Sequence, residues 1–197
     1  MGMQLTTEEQ EILSGAQGYG IAKALKYQIA LGEALKAERM VRINRVHAPL
    51  THLDGDTWFA ADLIKDGATC RIAATTNPVC DVEYLAGIGT PEPEEDVQVI
   101  AEVKEQFQQL GLVPSFCCIP QLESNTPRVN EICSFSESSA IPYVNGILGA
   151  RTNRESAKSA LAAAIPMSFF NDSGVPSSTN PPMASAIIDF STSMSRP

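Results

Sequence analysis

The sequence predicts an α/β fold around one core, and three observations predict it. Residues Met40 to Val46, MVRINRV, alternate apolar and polar side chains with the two-residue period of a strand and deliver His47 to its end. Between Ile21 and Ala37, the apolar Ile21, Ala22, Leu25, Ile29 and Ala30 recur at helical spacing, with Lys23, Lys26 and Glu33 among the polar positions. A helix from Trp58 to Lys65 then separates the first strand from a second at Cys70 to Ala74, and the order strand, helix, strand signals a layered α/β sheet.

The remaining elements follow from local signals. Thr6 and Glu9 form a capping box, which starts a short helix over Thr7 to Ser14 that Gly15 and Gly18 close. Gly32 breaks or weakens the helix that holds it, and Gly67 stops the Trp58 helix. The strand at Cys70 to Ala74 ends in the polar turn Thr75-Thr76-Asn77-Pro78. TPEPEED, Thr90 to Asp96, is an acidic linker that supplies helix-start charges to Val97 to Leu110, which Gly111 closes. LVPSFCCIP reads as a short buried strand, Pro127 to Phe135 as a loop, and Glu137 to Leu148 as a helix that needs Pro142 in its first turn. Ser159 to Ile165 is an Ala-rich helix. After Pro166 the composition turns to Ser, Pro, Thr and Asn with no apolar period, which predicts a disordered or unrelated tail over 166–197 behind a domain over 1–165.

At 197 residues and 44% hydrophobic, the chain can bury one ordinary core. A formal net charge of −9 and the lack of any basic run argue against nucleic acid or an anionic membrane surface as partner. No stretch approaches the roughly 20 apolar residues of a membrane span, and the N-terminus has no charged region ahead of an apolar core, so a cytoplasmic protein is expected. Cys70, Cys80, Cys117, Cys118 and Cys133 are odd in number and lack repeated spacing, which predicts free thiols rather than a disulfide framework or zinc ribbon.

Four segments collect short polar groups beside turns: Thr75 to Pro78, Cys118-Ile119-Pro120, Glu137-Ser138-Ser139-Ala140, and LGARTNRE from Leu148 to Glu155. Such groups gather ligands at strand ends and helix starts, where free amides and hydroxyls converge without loss of core packing. Each segment alone also reads as a cap or a turn. Together, with LTTEEQEIL, the Gly15 and Gly18 pair, His47 and SALAAAI, they resemble the aconitase X family of iron-dependent hydro-lyases, over nearly everything before Pro166.

The resemblance implies an aconitase-like mixed α/β domain, truncated relative to the family, that takes part in dehydrating a small hydroxy acid such as cis-3-hydroxy-L-proline. It implies an iron–sulfur cluster or iron as Lewis acid toward the departing hydroxyl, with cysteine thiolates as ligands. By position, Cys118 matches the cysteine of the family's Cys-Thr-Pro stretch and is the candidate metal ligand. His47, Thr75, Thr76, Asn77, Glu137, Ser138 and Ser139 are implied in the substrate pocket. Arg151, Asn153 and Arg154 match the GARTNRE element, where a guanidinium would grip a carboxylate with two parallel hydrogen bonds. Glu131 is retained from a family stretch in which this chain has Ile132 for His and Phe135 for Trp. Because family members run well past SALAAAI, the resemblance implies a second polypeptide that completes the site. The alternative is a non-catalytic subunit or remnant that keeps a carboxylate-binding pocket, with use in small-molecule biosynthesis as a further reading.

Overall fold

A computed structural model describes residues 2–51, 54–77 and 81–170. The expectations placed on Pro78, on Cys80 and on residues 171–197 lie outside the described residues. The first helix, α1 (Thr7–Leu13), opens on the reciprocal pair expected of it: Thr6 Oγ1 accepts from the Glu9 amide at 3.2 Å, and Glu9 Oε2 accepts from the Thr6 amide at 2.7 Å. Gly15 and Gly18 turn the chain at positive φ, 85° and 106°, into α2 (Tyr19–Ala34), which buries Ile21, Ala24, Leu25 and Gln28. Gly32 does not break α2. A Cβ there would stand 2.6 Å from the Phe170 Cβ, so the glycine serves a close approach of helix to strand.

The alternating run Met40 to Val46 is two strands in two sheets. β1 (Met40–Arg42) pairs antiparallel with a strand at the other end of the described chain, Met40 opposite Phe170. The chain then changes partners, with the Ile43 amide on Met167 O and the Asn44 amide on Ile132 O, before β2 (Arg45–His47) enters the main sheet. After α3 (Asp54–Lys65), the next strand, β3 (Ala73–Thr76), starts later than Cys70. The amides of Cys70 and Arg71 are held by Leu110 O and Ala164 O, outside any ladder. α4 (Val82–Gly87) and α5 (Glu94–Gln109) lead to β4 (Val113–Pro114). The expected buried strand there shrinks to two residues at a sheet edge, with Val113 exposed and Cys117 and Cys118 in the loop beyond.

β5 (Cys133–Phe135) lies where a loop was expected. It completes a four-stranded sheet in the order β4, β3, β2, β5, with every pair parallel. Chain order moves outward from β2 through β3 to β4 and then crosses to β5 on the opposite side of β2, so the strand order switches direction between β2 and β5. Alternation sends Val46 and Ala74 toward the core built with α2, α3 and α5, and sends Arg45, His47, Thr75 and Phe135 to the other face. That second face is covered in part by α6 (Ala140–Gly146), whose Ala140 and Val144 pack with Cys133, Phe135 and Ala150. Pro142 sits in the first turn of α6, where its missing N–H is not needed.

α7 (Ala157–Ala164) is buried from Ser159 to Ala164, and its small side chains let it settle against α2 and β2. The domain does not end at Pro166. Met167 turns at φ 62° and β6 (Ser168–Phe170) pairs with β1, burying Phe169 and Phe170. Two adjacent phenylalanines anchor this strand, a signal swamped by the polar residues that follow.

Candidate functional site

The carboxyl ends of parallel strands are where open α/β sheets bind ligands, most of all at a switch in strand order. Here that position lies between β2 and β5, and His47 ends β2 there. His47 is fully buried, its Nδ1 lies 2.9 Å from Thr75 Oγ1, and burial pushes the imidazole down to about 4. Among the described residues its Nε2 has no hydrogen-bond partner, and it stands 3.9 Å from Glu137 Oε1. With the imidazole neutral, that separation is too long for a hydrogen bond and is not an ion pair.

Glu137 follows β5 and is half-buried. Burial raises its carboxyl above the usual range, and a hydrogen bond from Asn77 works the other way. Asn77, just past β3, also donates from Nδ2 to Cys118 Sγ at 3.0 Å. Ser139 Oγ reaches Cys118 O at 3.4 Å. Thus β2, β3, β5 and the loop after β4 bring together His47, Thr75, Asn77, Glu137, Ser139 and Cys118, residues drawn from four separate stretches of sequence.

The other expected residues lie elsewhere. Thr76 alternates away from Thr75 onto the helix-packed face, where its Oγ1 is buried with no hydrogen-bond partner among the described residues. Ser138 and Arg154 line an adjoining groove of about 570 Å³ with Ser136, Ile141 and Glu155. The main chain of Arg151 is bridged to Ile132 at the amino end of β5. Asn153 is buried and donates to Phe170 O at 2.8 Å and to Glu155 Oε1 at 3.1 Å, tying the GARTNRE stretch to β6.

Sequence reasoning missed Asn125 and Arg45. Asn125 Nδ2 donates to Val46 O at 2.7 Å and to Thr75 Oγ1 at 2.9 Å, while its Oδ1 accepts from Arg45 Nη1 at 3.1 Å. Arg45 pairs in turn with Glu131 at 2.9 Å. A lone Asn in a polar turn carries no local signal of such a role.

Among the described residues, no three His, Cys, Asp or Glu side chains converge closely enough to hold a metal ion. Cys118 is exposed beside the cluster of polar groups, but Cys133 is buried, donates to Arg151 O at 3.4 Å, and has its thiol pushed up by burial. Cys70 is likewise pushed up to about 12 by burial. The described residues alone therefore do not fit a cysteine-held cluster, although Cys118 could give it one ligand.

Fold and site define an α/β domain that gathers neutral and acidic side chains at the carboxyl edge of a parallel sheet. The family profile described as Aconitase X first domain matches residues 2–168. The chain belongs to the aconitase X family. It is 36% identical over 167 residues to the phosphomevalonate dehydratase large subunit of Thermococcus kodakarensis, covering 83% of this chain and 41% of that one. It is 28% identical over 155 residues to the cis-3-hydroxy-L-proline dehydratase of Pseudomonas aeruginosa, covering 78% and 27%. A crystal structure of Thermococcus kodakaraensis aconitase X in its holo form superposes with a TM-score of 0.75 at 32% identity, covering 86% of this chain and 42% of that one. The chain thus spans about two fifths of the length of the archaeal relatives it matches. Among the described residues, no helix is long and apolar enough to cross a membrane.

Proposed function

We propose that this domain forms the substrate-binding part of a hydro-lyase that dehydrates a small hydroxy acid, in concert with a second polypeptide that supplies the rest of the site. The observation that carries this reading is the meeting of His47, Asn77, Glu137 and Cys118 at the carboxyl edge of the sheet in a member of this family. Elimination of water requires a group that takes a proton beside the carboxylate and donors that stabilise the charge developing there. Glu137, with its raised carboxyl, is the candidate proton acceptor. His47 offers a buried neutral ring beside it, and Arg154 in the adjoining groove is the candidate partner for the substrate carboxylate. An iron–sulfur cluster would act as Lewis acid on the hydroxyl; on this reading Cys118 gives it one ligand and other polypeptide segments give the rest.

The test separates binding from turnover. The 197-residue chain is titrated with cis-3-hydroxy-L-proline and with phosphomevalonate, and is then reconstituted anaerobically with iron and sulfide, alone and mixed with the segment that follows this domain in the Thermococcus relative. The expected results are weak saturable binding that Arg154→Ala and Glu137→Gln diminish, no turnover alone, and turnover in the mixture. Binding without turnover in any mixture would favour the non-catalytic subunit. Absence of saturable binding would sink both.

A further inference from the structure

We infer that Arg45 and Asn125 fix the imidazole tautomer of His47, so that Nδ1 accepts a hydrogen bond and Nε2 carries the proton toward the site. The argument rests on which groups can only give and which can only accept. The Arg45 guanidinium can only donate, and it meets Asn125 Oδ1; the Val46 carbonyl can only accept, and it meets Asn125 Nδ2. Both ends thus orient the Asn125 amide without reference to Thr75. Arg45 is itself anchored, since Glu131 takes Arg45 Nε on one oxygen and the Arg128 amide on the other, at 2.9 Å and 2.7 Å.

With the amide so oriented, Nδ2 donates to Thr75 Oγ1 at 2.9 Å. The hydroxyl keeps one proton of its own, and among the described residues its acceptor is His47 Nδ1, also at 2.9 Å. Nδ1 must then be bare, and a neutral ring holds its proton on Nε2. Thr75, Asn125 and His47 are all buried, so water does not compete for these bonds. The opposite tautomer would turn the bare lone pair of Nε2 toward the Glu137 carboxylate 3.9 Å away, an arrangement with no proton between two acceptors. Arg45 and Asn125 are therefore positioning residues, and what they position is a buried N–H donor that faces the Glu137 carboxylate. Use of that donor on a substrate rests on the hydro-lyase reading; the tautomer does not.

Long-range 1H–15N spectra of the full chain, labelled with 15N-histidine, read the tautomer at neutral pH. His52→Gln leaves His47 as the one histidine in the spectrum. A protonated Nε2 with a bare Nδ1 is expected; a protonated Nδ1, or an imidazolium, overturns the inference. Asn125→Asp replaces the donor to Thr75 with an acceptor, so the Thr75 proton turns to the new carboxylate, Nδ1 must donate, and the tautomer inverts. A folded Asn125→Asp chain that keeps a protonated Nε2 also overturns it. Where the carboxylate beside Val46 O prevents folding, Thr75→Val decides: both tautomers become populated and Thr75→Ser restores the single form, whereas an unchanged single form in Thr75→Val refutes the relay. No readout here needs turnover, so a failed hydro-lyase assay leaves the result standing.

Discussion

Asn77 Nδ2 donates to the Cys118 sulfur at 3.0 Å, which joins the end of β3 to the loop after β4, and the same side chain favours the charged form of Glu137, two residues past β5. For Glu137, the Asn77 amide opposes the upward push of burial. Asn77→Ala is therefore expected to raise the Glu137 carboxyl further, because a donor to the charged form is lost while burial stays. Carboxyl-carbon NMR titration of the two proteins checks the sign. A Glu137 that titrates lower in the variant would mean that Asn77 is not its partner in solution.

The described cysteines should divide cleanly by reactivity. Cys118 is exposed and Cys117 half-buried in the loop beyond β4, whereas the thiols of half-buried Cys70 and fully buried Cys133 are pushed upward by burial and stay in the unreactive protonated form. Brief alkylation at neutral pH followed by peptide mass spectrometry is expected to label Cys118 first and to leave Cys70 and Cys133 unmodified until denaturant is added. Prompt labelling of Cys133 in the native chain would contradict the packing of β5.

Asn153 is expected to matter for stability whatever it does for ligands. Removing its amide leaves Phe170 O and Glu155 Oε1 without that buried donor, a loss of about 1–3 kcal/mol. Asn153→Ala should show this as a lower urea midpoint. A chain ending at Ile165 should fare worse still, since it forfeits β6 and the burial of Phe169 and Phe170, each worth about 1.5–3 kcal/mol. A chain ending at Asp172 keeps every described contact and should match the full sequence.

Acid should destabilise the fold through His47. Its folded pKa, about 4, lies below the unfolded value of 6.5, so the unfolded state binds the proton more readily. The contribution is complete above pH 6.5 and is lost as pH falls toward 4, with a ceiling of about 3.5 kcal/mol at about 1.4 kcal/mol per unit. Urea unfolding at steps across this window should show the decline, and His47→Gln should flatten it. An equal decline in His47→Gln would assign the effect to other groups.

What the sequence determined by itself is what contacts within one turn or one strand can encode. The capping box at Thr6 and Glu9, the apolar stripe of α2 and the place of Pro142 in the first turn of α6 all stand as read, because each depends on neighbours three or four residues away. The family was legible for a related reason, since its motifs are short runs around turns. The tertiary structure alone decided where those runs meet. Only the pairing of Met40 with Phe170 shows that one alternating stretch feeds two sheets and that the domain continues past Pro166. Only the register of β2, β3 and β5 puts Thr75 beside His47 and turns Thr76 away. Asn125 and Arg45 could not be singled out from their surroundings in the chain, because their role is created by hydrogen bonds to residues 28 to 86 positions apart in the same network, and burial makes the direction of those bonds count.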